Sequence, residues 1–443
     1  MSSVLHRNLH VTLPLAVAGE GIYLTDAEGR RYIDASGGAA VSCLGHSHPA
    51  VVAAIREQVG KLPFVHSSFF ANEPSEALAG FLVERAPEGF GAGRVAFCGS
   101  GSEATEIALK LARQYHLERG EISRSRIISR IGSYHGNTLG ALAVGGHKGR
   151  REPYAPMLMQ TSQIEACHVY RGRRDDESEE TYGRRVADAL ETEILRLGKD
   201  NVAAFIAEPV GGATMGCVTP VPGYFARIRE ICDAHGVLLI ADEVMCGMGR
   251  TGHLFALSEE GVCADIVTVA KGLGAGYQPI GAVLASEKVV EALYRGSGKL
   301  ANGHTYMSHP VACAGALAAL TAIENDGLLE RVRMLGDELQ RQLTETFGNH
   351  RHVGDIRGRG LFYAVELVKD RATKEPFPVS RGLAERIRSE AMANGLICYP
   401  SSGTADGVNG DHVLLAPPFI CSEEDLAEIV GRLAKSVEAA LAA

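Results

Sequence analysis

The chain has 443 residues, with 44 Lys plus Arg against 53 Asp plus Glu and a formal net charge of −9. Its 46% hydrophobic residues and 52 glycines exclude wholesale disorder and supply enough apolar side chains for two or three folded units. A pI near 6.0, with no run of about five or six basic residues, gives no ground for nucleic acid or anionic membrane as main partner, so a small-molecule enzyme is expected.

The N-terminal stretch MSSVLHRNLHVTLPLAVAGEG has no apolar run of signal-peptide length, and no later segment offers about 18 consecutive apolar residues. A cytoplasmic protein is expected. His46 and His48 in GHSHP stand two residues apart without a nearby third ligand, a poor basis for a metal, and no metal site is expected. The ten cysteines form no C-x-x-C pair and read as buried reduced thiols.

Between about residues 90 and 290, short β-branched runs alternate with longer helical patterns, the arrangement of a mostly parallel sheet with helices on both faces. Strands are predicted at 95–98, 126–131, 202–207, 237–241, 265–270 and 281–285. Several are apolar throughout, as befits parallel strands buried on both faces. Segment 102–119 repeats apolar residues at Ala104, Ile107, Ala108, Leu111, Ala112 and Tyr115, a helical spacing with one buried stripe. Residues 171–181, RGRRDDESEET, form a charge run of mixed sign, read as a solvated loop before a helix near 182–197. Beyond about residue 325, charged amphipathic helices at 327–348 and 380–394 surround short strands at 361–367 and 413–416, an α+β pattern. Neither repeat nor low-complexity linker separates the two parts, so they are expected to pack together.

Three strings carry chemistry. In CGSGSEATEIALKLA, residues 98–112, a strand ends in Gly-Ser-Gly-Ser and a helix begins at once, which offers exposed amides to a phosphate. Ser100 and Glu103 equally fit a capping box that needs no ligand. The string lacks G-x-G-x-x-G and the Walker lysine, which disfavours a dinucleotide or nucleoside triphosphate. In LLIADEVMCGMGRTG, residues 238–252, an apolar strand delivers Asp242 and Glu243 at its C-terminal edge, where open α/β sheets hold ligands. In DIVTVAKGLGAGYQPIGA, residues 265–282, another apolar strand ends at Lys271 before a glycine loop. A lysine placed there is either a snorkelling side chain or a nucleophile whose pKa burial depresses.

A phosphate seat, a strand-end carboxylate and a strand-end lysine together suit pyridoxal 5′-phosphate. With these three strings in this order, the sequence resembles the class III (ω-) aminotransferases, of fold-type I among pyridoxal-phosphate enzymes, from about residue 19 to the end. The resemblance implies an α/β fold: a large domain with a mostly parallel central sheet over 61–325, a smaller α+β domain over 326–443, and an N-terminal segment, 1–60, packing with the small domain. The family's phosphate-binding Gly-Ser falls on Gly101 and Ser102, and its aromatic-His-Gly element, whose ring stacks on the cofactor, on Tyr134, His135 and Gly136. Its active-site Glu falls on Glu208, its ring-nitrogen Asp on Asp242, its ring-packing Val on Val244 and its Schiff-base Lys on Lys271. Thr305 resembles the residue that reaches the phosphate of a neighbouring subunit, which implies a homodimer with shared active sites; a tetramer is a further assembly open to it.

Two departures point away from acetylornithine-type members and toward the ω-amino acid:pyruvate subgroup. Met245 follows DEV, where those members carry Gln, and Thr305-Tyr306-Met307-Ser308 replaces their Thr-Phe-Gly-Gly. The substrates implied are a terminal amine, diamine or ω-amino acid as donor and a small 2-oxo acid such as pyruvate as acceptor. The substrate-carboxylate Arg that several members carry before a string like HVLLAPPF is missing from Ser401–Asp411, and Leu414 stands where an acetylornithine-type alignment expects one. Arg357 and Arg359 are alternatives, equally readable as surface arginines. Other outcomes on the same scaffold are an aminomutase, a racemase or a decarboxylase, and a different class is a catalytically silent cofactor-binding module.

Overall fold

The structure is a computed structural model and describes residues 3–442. Strands β1 (Ala16–Glu20), β2 (Tyr23–Asp26) and β3 (Arg31–Asp34) form an antiparallel meander near the N-terminus. The central sheet follows, with β4 (Arg94–Cys98), β5 (Arg126–Arg130), β6 (Ser162–Ile164), β7 (Val202–Ala207), β8 (Leu238–Asp242), β9 (Ile266–Val269) and β10 (Gly281–Ala285). The C-terminal part adds β11 (Val353–Gly358), β12 (Tyr363–Asp370), β13 (Glu375–Pro376), β14 (Leu396–Ile397), β15 (Tyr399–Ser402) and β16 (Asp411–Leu415).

The central sheet has the order β4-β10-β9-β8-β7-β5-β6. Strands β6, β5, β7, β8 and β9 run parallel, and β10 is antiparallel to both its neighbours, β9 and β4. Two reversals restore direction, so β4 points the same way as the parallel set. The segments that follow β4, β5, β7, β8 and β9 therefore all leave from one edge of the sheet, and this topology assembles the site. Every residue of β7, β8, β9 and β10 is buried, which accounts for their unbroken apolar runs. Helix Gly101–Glu118 lays Ala104, Ile107, Ala108, Leu111 and Ala112 on one face of this sheet, against Ile240, Ile266 and Val283.

The six strands predicted between residues 90 and 290 are present within one or two residues, those predicted at 361–367 and 413–416 fall on β12 and β16 shifted by up to three residues, and the predicted helices appear at Gly101–Glu118, Glu179–Leu197, Leu328–Phe347 and Leu383–Ala393. Strands β1, β2, β3, β6, β11, β13, β14 and β15 have no counterpart among the predicted elements, nor do the helices Pro49–Lys61, Glu73–Glu84, Tyr224–His235, Glu287–Arg295, Pro310–Asn325 and Glu423–Ala442. In the C-terminal part, β11-β12-β16-β15 form an antiparallel sheet with β13 attached to β12. Strand β14 leaves that sheet and pairs in parallel with β3, Leu396 opposite Ile33, which stitches the two ends of the chain together. Among the described residues no helix is long and apolar enough to cross a membrane.

Candidate active site

At the carboxyl edge of the central sheet lies a cavity of about 470 Å3. Its walls include Gly101, Ser102, Tyr134, His135, Glu208, Asp242, Val244 and Lys271, eight of the nine residues singled out from sequence. The ninth, Thr305, lies in an exposed turn and is not part of this wall.

The floor comes from three adjacent strands. Asp242 is the last residue of β8 and is buried; its Oδ1 accepts from the Val244 amide at 3.1 Å and from Thr268 Oγ1 at 3.3 Å. Its Oδ2 lies 2.6 Å from His135 Nδ1, so the histidine clamps the second oxygen. Glu243, the next residue, turns away from the cavity: its carboxylate accepts from the amides of Ala256 and Leu257, and burial pushes its pKa up to about 7. The strand thus assigns its two carboxylates different tasks, one facing a ligand and one holding a turn.

Lys271 follows β9 with φ +45°, a left-handed conformation that costs a non-glycine residue about 1–2 kcal/mol. Such strain concentrates where a side chain must be aimed. Burial lowers the pKa of its amine, opposed by the negative charges of Asp242 and Glu208, so the neutral, nucleophilic form is more accessible than in a surface lysine. Glu208 follows β7; its Oε1 accepts weakly from the amides of Gly212 and Tyr134 at 3.3 and 3.4 Å, and Arg130 stands 3.6 Å from Oε2. Burial raises the Glu208 pKa against the pull of His135 and Arg130.

The opposite wall is the start of helix Gly101–Glu118. Ser100 Oγ accepts from the Glu103 amide at 3.2 Å and the Glu103 carboxylate accepts from the Gly99 amide at 2.6 Å, so the cap is real. It leaves the amides of Gly101 and Ser102 without an intramolecular acceptor among the described residues, and cap and anion seat coexist. A Cβ on Gly101 would meet Val244 Cγ1 at 2.8 Å, which is why this wall needs glycine. Ser102 Oγ accepts from the Asn137 amide, and Thr105 Oγ1 donates to the His135 carbonyl at 2.7 Å; these bonds fasten the Tyr134-His135-Gly136 turn to the helix.

The residues present fit pyridoxal phosphate. His135 Nε2 is buried at the cavity with no hydrogen-bond partner among the described residues, and Glu208 Oε2 has only the long ion pair to Arg130, which leaves both atoms with capacity for a polar ligand. A clamped carboxylate, a lysine of lowered pKa and two open helix amides are the donor set that a cationic ring nitrogen, an aldehyde carbon and a phosphate require. The two arginines considered for the substrate carboxylate lie elsewhere. Arg357 is bound to Asp355, Glu366 and the carbonyls of Met215 and Gly216, and Arg359 pairs with Glu259 and Glu260. Leu414 is fully buried within β16. The cavity wall also contains Arg7, Arg150, Gly212, Ala213, Gln278 and Tyr399, which carry no motif in the sequence.

Fold and site together define a pyridoxal phosphate-dependent enzyme of fold-type I. The chain belongs to the class III aminotransferases, whose family model matches residues 4–437. It is 46% identical to an uncharacterised aminotransferase of Schizosaccharomyces pombe, over 97% of this chain and 94% of that protein. It is 34% identical to a chloroplastic gamma-aminobutyrate transaminase of Solanum lycopersicum, over 96% of this chain and 81% of the relative. The crystal structure of the omega transaminase from Pseudomonas jessenii in complex with PMP superposes with a TM-score of 0.90 at 35% identity, covering 97% of this chain and 93% of the other.

Proposed function

We propose that the enzyme moves an amino group from a terminal amine, diamine or ω-amino acid to a small 2-oxo acid such as pyruvate, in the two half-reactions of a ping-pong cycle. The observation that carries this reading is the floor of the cavity, where Lys271, Asp242 and Glu208 stand at the ends of three neighbouring strands and the two carboxylates act on the lysine amine. Relatives described as gamma-aminobutyrate and omega transaminases support the choice of a terminal amine.

Each residue then has one task. Gly101 and Ser102 would seat the phosphate with their free amides, and Tyr134, Val244 and Glu208, which line the same cavity, would hold the ring. His135 fixes the Asp242 carboxylate, whose negative charge would favour a protonated ring nitrogen. The bound cofactor supplies the electron sink for carbon–hydrogen cleavage next to nitrogen. Lys271 would hold the cofactor through its amine and, as a neutral amine of lowered pKa, could take up and return a proton at the reacting carbon. Thr305, exposed in one subunit, completes the phosphate seat of a second in a cytoplasmic homodimer.

Two measurements test the reading. Borohydride reduction of the holoenzyme followed by peptide mapping should place the label on Lys271, and label on any other lysine overturns the assignment. The kcat/KM of terminal amines and of α-amino acids, each with pyruvate and with 2-oxoglutarate, should favour a terminal amine with pyruvate. A strong preference for an α-amino acid with 2-oxoglutarate overturns the substrate class.

A further inference from the structure

With Arg357, Arg359 and Leu414 excluded by their surroundings, the acceptor carboxylate lacks the partner that sequence reasoning sought. We propose that Arg150, with Arg7 beside it, is that partner: a carboxylate receptor at the mouth of the cavity that orients a 2-oxo acid toward Lys271. The inference rests on the aminotransferase reading above.

Arg150 borders two connected spaces. It lines the inner cavity with Lys271, and it lines a second cavity of about 810 Å3 that shares Arg7, Arg150, Ala213 and Tyr399 with the first. It therefore stands at the neck between them. Its guanidinium carbon lies 4.8 Å from the centroid of the Tyr134 ring. Stacking on an aromatic face fixes the plane of a guanidinium and leaves its edge N–H groups free to meet a carboxylate in bidentate fashion. Neither Arg150 nor Arg7 has an acidic partner among the described residues, whereas Arg357, Arg359 and Arg388 are each paired with one.

Charge placement makes the orientation one-way. Asp242 and Glu208 at the floor repel a carboxylate, and two uncompensated cations at the neck attract it. A 2-oxo acid entering the cavity is held with its carboxylate outward and its carbonyl carbon inward. The Arg150 charge reaches the floor as well, since burial is the main cause of the lowered Lys271 pKa and Arg150 adds to the lowering. A donor without a carboxylate needs no such contact.

Rapid-mixing measurements of the separate half-reactions in Arg150→Gln and Arg150→Lys holoenzymes test this. In Arg150→Gln, kcat/KM for pyruvate with the amine-loaded enzyme should fall about 10- to 100-fold, while the half-reaction with a terminal monoamine changes by less than about threefold. Arg150→Lys should recover part of the pyruvate loss, because a point charge survives without the planar fork. A titration with propionate, read from the cofactor absorbance, should show a dissociation constant raised by a factor similar to the pyruvate loss. Equal losses in both half-reactions, or unchanged pyruvate and propionate behaviour, would overturn the inference. If the native enzyme processes no terminal amine, the function proposed above fails, while the propionate titration still decides the role of Arg150.

Discussion

The floor and the mouth of the cavity are built on different principles. Glu208, Asp242 and Lys271 follow three neighbouring strands, β7, β8 and β9, whose spacing of about 4.8 Å fixes how far apart their backbones stand. Arg150, Arg7 and Tyr399 come from the short helix Lys148–Arg151, the N-terminal segment and the start of β15, and Arg7 and Arg150 are exposed. The floor residues are held by sheet register, and the residues at the mouth are held by segments outside the central sheet. The chemistry of such a fold can stay fixed while its specificity changes.

The sharpest way to break the comparison is at the floor. Lys271→Ala should lower turnover about 10^4-fold or more while the melting temperature of the apoprotein stays near the native value, since the change removes a nucleophile and proton carrier but no core volume. Thermal unfolding and steady-state assays check the pair, and a comparable loss of both would make Lys271 structural. Asp242→Asn should slow proton removal more than it weakens cofactor binding, by an amount of the order of a charge-assisted hydrogen bond, about 1.5–3 kcal/mol, or roughly 10- to 150-fold. Single-turnover rates at saturating cofactor separate the two effects.

The wall between floor and mouth should respond through shape. Gly136 adopts φ +134°, and a Cβ there would meet Ser102 Oγ at 2.7 Å and Ala141 Cβ at 2.9 Å. Gly136→Ala should cost about 1–3 kcal/mol of stability and raise the dissociation constant of the cofactor, measurable by denaturant unfolding and by titration of the apoprotein.

The smallest effect is a pH shift. Because burial lowers the Lys271 pKa from its ordinary 10.5, the folded apoprotein releases that proton before the unfolded chain does. Between the lowered value and 10.5 the unfolded state binds more protons, so this group's contribution makes apoprotein stability rise with pH in that window and become constant above it. The rate at which the apoprotein takes up cofactor should also reach half its maximum below pH 10.5, and a midpoint at the ordinary lysine value would refute the neutral amine.

Legibility in the sequence follows the same division. The run VAAFIA at 202–207 reads as a buried strand because β7 is covered on both faces, and LLIAD and IVTV read likewise. Lys271 and Asp242 stand out because a charged residue at the end of such a run is unusual. Glu243 is indistinguishable from Asp242 by sequence, and only the Ala256 and Leu257 amides show which carboxylate faces inward. Strand β6 has three residues, S-Q-I, and among the described residues pairs only with β5, too short for a pattern. The final helix repeats Leu426, Ile429, Val430, Leu433 and Val437, a helical spacing that the sequence itself carries. Arg150 sits in HKGRREP, which resembles any solvated charged turn, and its place at the neck depends on packing between segments distant in the chain.

The pairing of β3 with β14 has a consequence for how the protein is made. Ile33 meets Leu396, a partner synthesised 396 − 33 = 363 residues later. At bacterial-to-eukaryotic elongation speeds of about 5–20 residues per second, β3 leaves the ribosome roughly 20 to 70 seconds before its neighbour exists. During that interval its outer edge is an open hydrogen-bonding rim, the kind of edge that invites pairing with other nascent chains. Residues Gly38 and Ala39, which line the cavity just after β3, take their final place beside the Ala35 amide that donates to Ile397. The wall is therefore completed only after residues 396 and 397 have been made, and a chain truncated before residue 396 would lack both the seam and the support for that wall.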